Sequence, residues 1–525
     1  MTEENAPVNA APFEALRRYV PLLVWIIASA VILVIPLKII GYGYLPADDA
    51  MRHAAKAVSG KPWPDILVMG PSFHIDHNYG WHFLLRQIYL QIRTGNGAHD
   101  AETLVLISVV VLFTLVGWST LPWLRRPEAW LIALLATTLV SDVLGRFMLG
   151  RPFIITVAGL MTILLVWHIH GPTPPKWWTP IWMAGLVAVC SFVHGVWYLW
   201  ALPVAAFFLA GQFRWGWMFT VGWLGGVFVG AAFTGHPVAS LVQAVVMAVR
   251  AFGLHSTERT LVTEFQPSSG DVLGLVILGG LLILRRLANL KARPLLSNPA
   301  FWLAALAWVL SFKATRFTED WGWPAFMVLI ACDLQLFLET RFAADSFKRL
   351  ALAGGLAVTL FLAVTNDLGS RWTYNLTQQY LTTAEHPELK GWMPDPGGIL
   401  YSADMGIFYQ TFFKNPNGDW RYILGYEPAF MPDEDFKTFH SVLWNFGAAK
   451  AYEPWVEKMR PEDRLVIRGG KGEPPNIPQL DWEYGVTGIW IGRLPRDNPS
   501  PGESPPTFPA TATRDNPANP VSSPR

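Results

Sequence analysis

The sequence predicts a polytopic α-helical membrane protein with a long first external loop and a small external C-terminal α/β domain. Of its 525 residues, 52% are hydrophobic and only 15% are charged, and the mean hydropathy is +0.29. This composition is too apolar for a soluble protein of this size. Long apolar stretches recur up to residue 365, after which glycine, proline and charged residues become frequent. The net charge of +1 gives no indication of a nucleic-acid partner, and we expect none.

About eleven stretches are apolar enough to be membrane spans, each near or somewhat below the roughly 20 residues that cross a bilayer core. The predicted transmembrane helices lie near residues 19–40, 103–122, 128–141, 153–169, 180–193, 196–210, 216–234, 271–284, 299–312, 323–338 and 349–365. A further apolar segment, 237–253, is separated from the preceding span by the sequence TGHP, which is typical of a turn. We expect this segment to be re-entrant or interfacial.

The short loops predict the orientation, because loops that remain in the cytoplasm carry an excess of Lys and Arg. The basic pairs 17–18, 125–126 and 285–286 all fall on one side when the N-terminus is cytoplasmic. An odd number of spans then places the C-terminal region on the periplasmic or extracellular side of a plasma (inner) membrane. On this interpretation the cytoplasmic loops are plain basic anchors. Most acidic residues and histidines of the membrane half lie on the external face.

Three regions follow from this composition. Residues 1–365 form the membrane-embedded part, and residues 366–495 have the size of one external domain. Within the latter, strand-like sequences lie at 397–403, 463–470 and 485–494, and a helical stretch lies at 435–447. We therefore expect a small α/β or α+β fold there. From residue 496 to residue 525 Pro, Ser, Asn and Thr dominate, which predicts a disordered tail.

The first external loop, residues 41–102, is too long to be a plain connection. Two of its stretches, 48–60 and 78–92, are amphipathic and predict interfacial helices that lie on the membrane. Asp48 or Asp49 would cap the first helix, because the free N–H groups and the dipole of a helix N-terminus favour a carboxylate. One aspartate is sufficient for a cap, so the second one favours a functional role.

An acidic pair therefore follows the first span and heads one interfacial helix, and a second interfacial helix precedes span two. This order resembles the C-type membrane glycosyltransferases, which include protein O-mannosyltransferases, oligosaccharyltransferases and the aminoarabinose transferases of lipid A. In the last group the motif reads roughly DE-x-R-Y-A followed by SG-x-W. Here the sequence is DDAMRHA (48–54) followed by SGKPW (59–63). The second acid is Asp, an extra residue precedes Arg52, and His53 replaces the aromatic residue.

The resemblance implies an inverting transfer of a hexose or pentose from a polyprenyl-phosphate donor to a lipid, glycan or protein acceptor at the external membrane surface. In such a reaction a carboxylate takes the proton of the acceptor group, and cations stabilise the leaving phosphate. Asp48 matches the first acid of the motif and is the expected base. Asp49 beside it would raise its pKa or share a metal ion with it. Arg52 and His53 are expected to contact the substrate.

Four basic residues of the external face are expected to bind the donor phosphate: Arg316, Lys313, Arg146 and Arg151. Arg316 and Lys313 directly follow an apolar span and would lie on one face of a helix. Glu319 follows Arg316 at i+3, and Asp320 is next to it, so an internally paired loop is the alternative. We expect both acidic residues to contact the substrate if the stretch is functional.

Arg146 and Arg151 lie between two short spans at an external turn, where the positive-inside rule disfavours arginine. A phosphate contact and a salt bridge to Asp142 would each explain them. His194 lies at another external turn. A lone histidine in such a place is more often structural than functional, but His194 is retained as a candidate for substrate binding.

The sequence FHIDHN (73–78) places His74, Asp76 and His77 close together, as in a metal site with an acidic neighbour. The alternative is a polar interfacial loop. A divalent cation is therefore a candidate cofactor, either Zn²⁺ at this sequence or Mg²⁺ or Mn²⁺ at the acidic pair.

Two other functions compete with glycosyl transfer. A transporter or flippase of lipid-linked substrates would need ionisable residues near the middle of the membrane and helices broken in paired halves. The charges instead gather at one face, and the sequence contains no internal repeat. Another envelope-assembly transferase, such as a ligase or an acyltransferase, is an alternative that the sequence leaves open.

Overall fold

The structure is a computed structural model, and it describes residues 17–71, 73, 75–138, 141–171, 173, 175–252, 266–268, 272–486 and 488–495. The predicted disordered tail at 496–525 and the candidate ligand His74 lie outside the described residues. The described chain forms a helical bundle, followed by a small domain built on a five-stranded sheet.

Six helices of the described chain are long and apolar enough to cross a membrane: Val20–Ile40, Gly97–Trp123, Phe153–His170, Phe213–Ala232, Thr318–Arg341 and Phe347–Thr365. Five shorter apolar helices accompany them: Pro127–Thr137, Thr179–Val193, Trp197–Leu209, Pro237–Val249 and Pro299–Ser311. A sixteen-residue helix, Val272–Leu287, lies between the last two of these. Each of the predicted spans overlaps a helix. The membrane-embedded class is therefore supported, whereas the number of eleven crossings stays a prediction.

The first external loop folds as its local sequence predicts. The helix Asp49–Ser59, named the acidic helix after the aspartate pair at its start, begins after Asp48. The Asp48 side chain accepts a hydrogen bond from the Ala50 amide at 3.1 Å. It ends at Gly60, whose φ of 64° is left-handed and favours glycine. The second loop helix is Tyr79–Ile92.

The surroundings of the acidic helix differ from a membrane surface. Arg52 is 4% exposed and His53 is 1% exposed, although both lie on the polar side of an amphipathic helix. The reason is that the C-terminal domain covers this side, through the helix Met405–Lys414 and the loop that contains Tyr426. The acidic helix is therefore packed beneath the sheet domain, and its position relative to the membrane stays a prediction.

The C-terminal domain is built on strands β1 (Ile399–Tyr401), β2 (Arg421–Tyr422), β3 (Arg464–Arg468), β4 (Asp481–Val486) and β5 (Ile489–Arg493). The order is β2-β1-β3-β5-β4; β1 pairs in parallel with β2 and β3, and β5 pairs antiparallel with β3 and β4. Strands β1, β3 and β5 and the helix Asp433–Trp444 coincide with predicted elements. Strands β2 and β4 were not predicted as separate strands.

The first external loop extends this sheet. The Val68 amide donates to the Tyr422 carbonyl at 2.9 Å, and the Tyr422 amide donates to the Ile66 carbonyl at 2.9 Å. These bonds satisfy the edge of β2, which would otherwise present unpaired backbone groups. Trp63 and Phe73 of the loop also belong to the hydrophobic core of the domain. The loop and the domain are therefore one packed unit.

The basic residues at the opposite end of the bundle are more than anchors. Arg349 is 2% exposed, and its Nε lies 2.6 Å from Glu128 Oε1. Arg285 forms a bidentate pair with Asp333 at 2.6 and 2.8 Å. A buried guanidinium requires a compensating anion, and both of these have one. The interpretation of this end as plain basic anchoring is wrong for both arginines.

Candidate functional site

A cavity of about 120 Å³ lies where the acidic helix, the ends of several bundle helices and the sheet domain meet. Its charged lining residues are Asp49, Arg52, Arg151, Arg316 and Glu427, and its histidines are His53, His77 and His194. Three of the charged residues are cationic and two are anionic, so the charged lining has a net charge of +1. Seven of the fourteen residues that the sequence nominated thus line one cavity: Asp49, Arg52, His53, His77, Arg151, His194 and Arg316.

The two aspartates of the acidic pair have different positions. Asp48 caps the acidic helix and accepts a hydrogen bond from Arg151 Nη2 at 2.9 Å, but it is not among the residues that line the cavity. Burial raises the pKa of Asp48, and Arg151 opposes that shift. Asp49 lines the cavity and accepts from Arg52 Nε at 2.6 Å. The geometry therefore favours Asp49 over Asp48 as the carboxylate that faces a substrate.

The charge of Asp49 is strongly stabilised. Burial alone would raise the pKa of this carboxyl group, but Arg52, Arg151 and a hydrogen bond from the Tyr409 hydroxyl together hold it well below its usual value. Asp49 is consequently ionised at neutral pH and has little affinity for a proton. Its pairing makes it better suited to orienting arginines than to accepting a proton.

Arg52 is the cavity arginine with a spare donor. Its guanidinium lies over the ring of Tyr426, 3.7 Å from the ring centroid. Its Nη1 is buried and makes no hydrogen bond within the described part of the chain. A buried guanidinium N–H without an acceptor is costly, so Arg52 is a candidate for contacting an anionic ligand at the cavity.

A second ion cluster lies on a π-helical turn, Thr318–Gly322. Arg316 Nε donates to Asp320 Oδ2 at 2.9 Å. Arg146 is 3.1 Å from Glu319 and donates through Nε to Asp320 Oδ1 at 2.8 Å. Glu319 and Asp320 thus hold the two arginines in place, and Arg316 reaches the cavity lining while Arg146 does not.

Two details differ from the sequence-based interpretation of this stretch. Arg316 pairs with Asp320 at i+4, whereas Glu319, the expected i+3 partner, contacts Arg146. Lys313 is exposed and is not among the residues that line the cavity. The structure therefore brings Arg316 and Arg151 together at the cavity and does not bring Lys313 to it. Arg151 pairs with the acidic pair; the Asp142 side chain lies outside the described part.

Several histidines surround the cavity in uncharged form. Burial lowers the pKa of His194 to about 3 and that of His77 to about 4. His194 Nδ1 is 3.3 Å from the Thr156 hydroxyl, and His77 Nε2 is 3.1 Å from the Gln243 amide. His53 Nδ1 contacts His82, a residue that the sequence did not nominate.

The metal interpretation has little support in the part of the chain that the structure describes. No three His, Cys, Asp or Glu side chains converge there as metal ligands. Asp76 binds His82 and the Asn78 amide, and His77 faces Gln243 instead. Both carboxylates of the acidic pair are matched with arginines, so this donor set does not fit a divalent cation.

The sheet domain contributes three residues that sequence reasoning missed: Tyr409, Tyr426 and Glu427. Tyr409 binds Asp49, Tyr426 stacks on Arg52, and Glu427 lines the cavity. Each lies at least 350 positions from the acidic helix, and no local pattern marks it. No family model matches this sequence, and no curated protein matches it.

Proposed function

We propose that this protein is a glycosyltransferase that moves a sugar, with inversion, from a polyprenyl-phosphate donor to a lipid, glycan or protein acceptor. The observation that carries the proposal is the convergence of Arg52, Arg151 and Arg316 with Asp49 on one cavity beside apolar helices. A phosphate attached to a lipid needs cations at the membrane boundary, and a sugar needs a polar hollow next to them. The cavity offers both.

The arginines have distinct roles in this reaction. Arg52 offers the spare Nη1 donor, while Arg316 and Arg151 are held at the cavity by Asp320 and Asp48. Their charge stabilises the phosphate that leaves when the sugar is transferred, because they are fixed before the reaction and need no reorganisation. Asp49 fixes Arg52 and supplies the negative charge nearest to the sugar.

The location follows the same proposal. The charged cavity residues come from segments that the charge of the short loops assigns to the external side. The proposal includes about eleven membrane crossings, a cytoplasmic N-terminus and a sheet domain on the periplasmic side of the inner membrane. The sheet domain closes the site over the membrane and is therefore the part that an acceptor meets first.

The proposal is tested with purified protein in lipid nanodiscs and two probes, an undecaprenyl-phosphate hexose and an undecaprenyl-phosphate pentose. Release of undecaprenyl phosphate is followed by mass spectrometry, with water as a slow acceptor, so that the natural acceptor is not required. We expect release from at least one probe, and Arg316→Ala should reduce it by about 100-fold, the effect of losing one fixed donor to a developing charge.

The matched control is Lys348→Ala, which removes an exposed cation at the opposite end of the bundle and should leave release within twofold of wild type. Donor affinity is measured in parallel, and Arg316→Ala should weaken it without lowering the thermal stability of the protein. A wild-type protein that neither binds nor cleaves either probe would refute the proposed function.

A further inference from the structure

Three side chains, His53, His82 and Asp76, form a continuous hydrogen-bonded row that starts at the cavity. His53 Nδ1 lies 2.8 Å from His82 Nε2, and His82 Nδ1 lies 2.5 Å from Asp76 Oδ2. Both rings are at least nine-tenths buried. Of the three residues, His53 lines the cavity, whereas His82 lies behind it and packs against Trp63.

The row fixes the tautomer of each ring. Burial would raise the pKa of Asp76, but His82 and the Asn78 amide hold it well below its usual value, so the carboxyl group is ionised. An ionised carboxylate only accepts hydrogen bonds. His82 must then carry its proton on Nδ1. Burial lowers the pKa of His82 and keeps the ring neutral, so its Nε2 has a lone pair. His53 consequently donates from Nδ1, and its own Nε2 has no proton.

The free lone pair belongs to the edge of His53 that faces the cavity. His53 lines the cavity while its Nδ1 is directed towards His82, which does not, and we infer that Nε2 is the ring nitrogen that faces the cavity. No described residue forms a hydrogen bond with His53 Nε2. Arg52, Arg151 and His194 surround the same space.

We propose that Asp76, His82 and His53 form a relay that presents His53 Nε2 to the acceptor as the proton-accepting atom of the transfer reaction. This inference rests on the proposed function and adds the base to it. His53 is the catalytic residue of the relay because it touches the acceptor. His82 and Asp76 are positioning residues that set its tautomer.

The step is balanced as follows. The oxygen of the acceptor hydroxyl forms a bond to the anomeric carbon of the sugar, and its proton moves to His53 Nε2. The bond between the anomeric carbon and the phosphate oxygen breaks, and its electron pair leaves on the polyprenyl phosphate. His53 becomes an imidazolium ion, and the negative charge of Asp76 stabilises it through His82.

The electrostatics of the cavity suit this assignment. Burial and the neighbouring Arg52 lower the pKa of His53, so the ring is neutral and able to accept a proton before the reaction. An anionic donor phosphate at the arginines offsets their charge and makes protonation of His53 easier. Asp49 is the alternative base, but its two arginine partners disfavour its protonation.

The far end of the relay meets a second polar space. Asp76 lines a separate cavity of about 20 Å³ together with His77 and Ser191. The Ser191 hydroxyl is buried and makes no hydrogen bond within the described residues. The volume is sufficient for one water molecule.

The test is Asp76→Asn. In the native protein Asp76 Oδ1 accepts from the Asn78 amide, so the new amide oxygen takes that position and the new NH₂ group faces His82. His82 must then accept at Nδ1 and donate from Nε2, which reverses the row and places the proton of His53 on Nε2. The acceptor would face a donor instead of a lone pair.

Two readouts are recorded on full-length protein. In ¹⁵N-histidine NMR spectra, with the His53 signals identified by their loss in His53→Asn, Nε2 of His53 should be unprotonated in wild type and protonated in Asp76→Asn. Release of undecaprenyl phosphate at saturating donor should fall by about 100-fold or more, the usual contribution of a general base. The KM for the donor should change less than threefold.

The control is His386→Asn, which removes a histidine of the sheet domain outside the cavity and should leave both readouts unchanged. A protonated Nε2 of His53 in wild type overturns the relay, and so does a switched tautomer with a release rate within threefold of wild type. If Asp76→Asn fails to fold, His82→Asn interrupts the same row and must cause the same rate loss. The NMR result needs no donor, so it decides the relay even if both probes are inert and the proposed function fails.

Discussion

Both ends of the helical bundle bury arginine–carboxylate pairs, and among the described residues such pairs lie around a cavity at the end beneath the sheet domain. At the opposite end Arg349 and Glu128 are each at most 2% exposed and line none of the three described cavities. At the sheet-domain end Arg52 and Arg151 line the cavity, and Arg52 keeps a donor nitrogen without a partner. A buried ion pair by itself indicates structure, whereas a buried cation with a spare donor beside a hollow indicates binding.

The largest expected effect comes from breaking the buried pair of Arg349 and Glu128. Glu128→Gln leaves the Arg349 guanidinium buried without its anion, and removing one partner of such a pair destabilises proteins by about 3–5 kcal/mol. We expect a loss of this size in the free energy of unfolding, measured by equilibrium unfolding in mixed detergent micelles. Turnover per folded molecule should stay within twofold of wild type.

The control for this prediction is Asp345→Asn, an exposed carboxylate at the same end of the bundle. It should change the unfolding free energy by less than about 0.5 kcal/mol, as surface substitutions usually do. A similarly small change for Glu128→Gln, or a selective loss of turnover, would erase the distinction between the two ends.

The second prediction distinguishes the roles of Asp48 and Asp49 at the cavity. Asp49→Asn should reduce release of undecaprenyl phosphate by about 100-fold, because Asp49 faces the cavity and orients Arg52. Asp48→Asn should reduce it by only about tenfold, because asparagine still caps the helix and only the contact with Arg151 is weakened. Asp49→Asn also leaves the buried Arg52 guanidinium without its carboxylate partner, so both rates are compared per folded molecule. The reverse order of rates would restore Asp48 as the base that the sequence suggests.

The elements that the sequence predicts well depend on local patterns. Apolar runs located every predicted span on a helix, and the acidic pair located the capped start of Asp49–Ser59. Strands β1, β3 and β5 follow from short β-branched and aromatic runs. Each of these signals acts within a few residues, so a single sequence is sufficient to find it.

The site needs contacts between distant segments, and the sequence specifies these only through packing. Arg146 meets Asp320 across 174 positions, and Asp49 meets Tyr409 of the sheet domain. The choice of Asp320 over Glu319 as the partner of Arg316 depends on a π-helical turn, which no local pattern predicts. His82 was overlooked because it lies within an aromatic amphipathic helix, where a histidine gives no signal of its partner.

The smallest expected effect tests whether the sheet domain contributes to the charged cluster at the cavity or only covers that cluster. Tyr409→Phe removes the hydroxyl that donates to Asp49 and preserves the ring. Hydrogen bonds to charged groups contribute about 1.5–3 kcal/mol. We therefore expect release of undecaprenyl phosphate to fall by about tenfold, which corresponds to about 1.4 kcal/mol. Tyr19→Phe, on an exposed tyrosine next to the first span, is the control.

A double-mutant cycle makes this prediction specific to the contact. If the Tyr409 hydroxyl acts through Asp49, adding Tyr409→Phe to Asp49→Asn should lower the rate no further, because the charge that the hydroxyl stabilises is already absent. Independent, multiplicative losses would mean that Tyr409 acts on another group. An unchanged rate in Tyr409→Phe alone would mean that the sheet domain covers the charged residues at the cavity without changing their electrostatics. The two ends of the bundle would then differ only in the presence of a cavity.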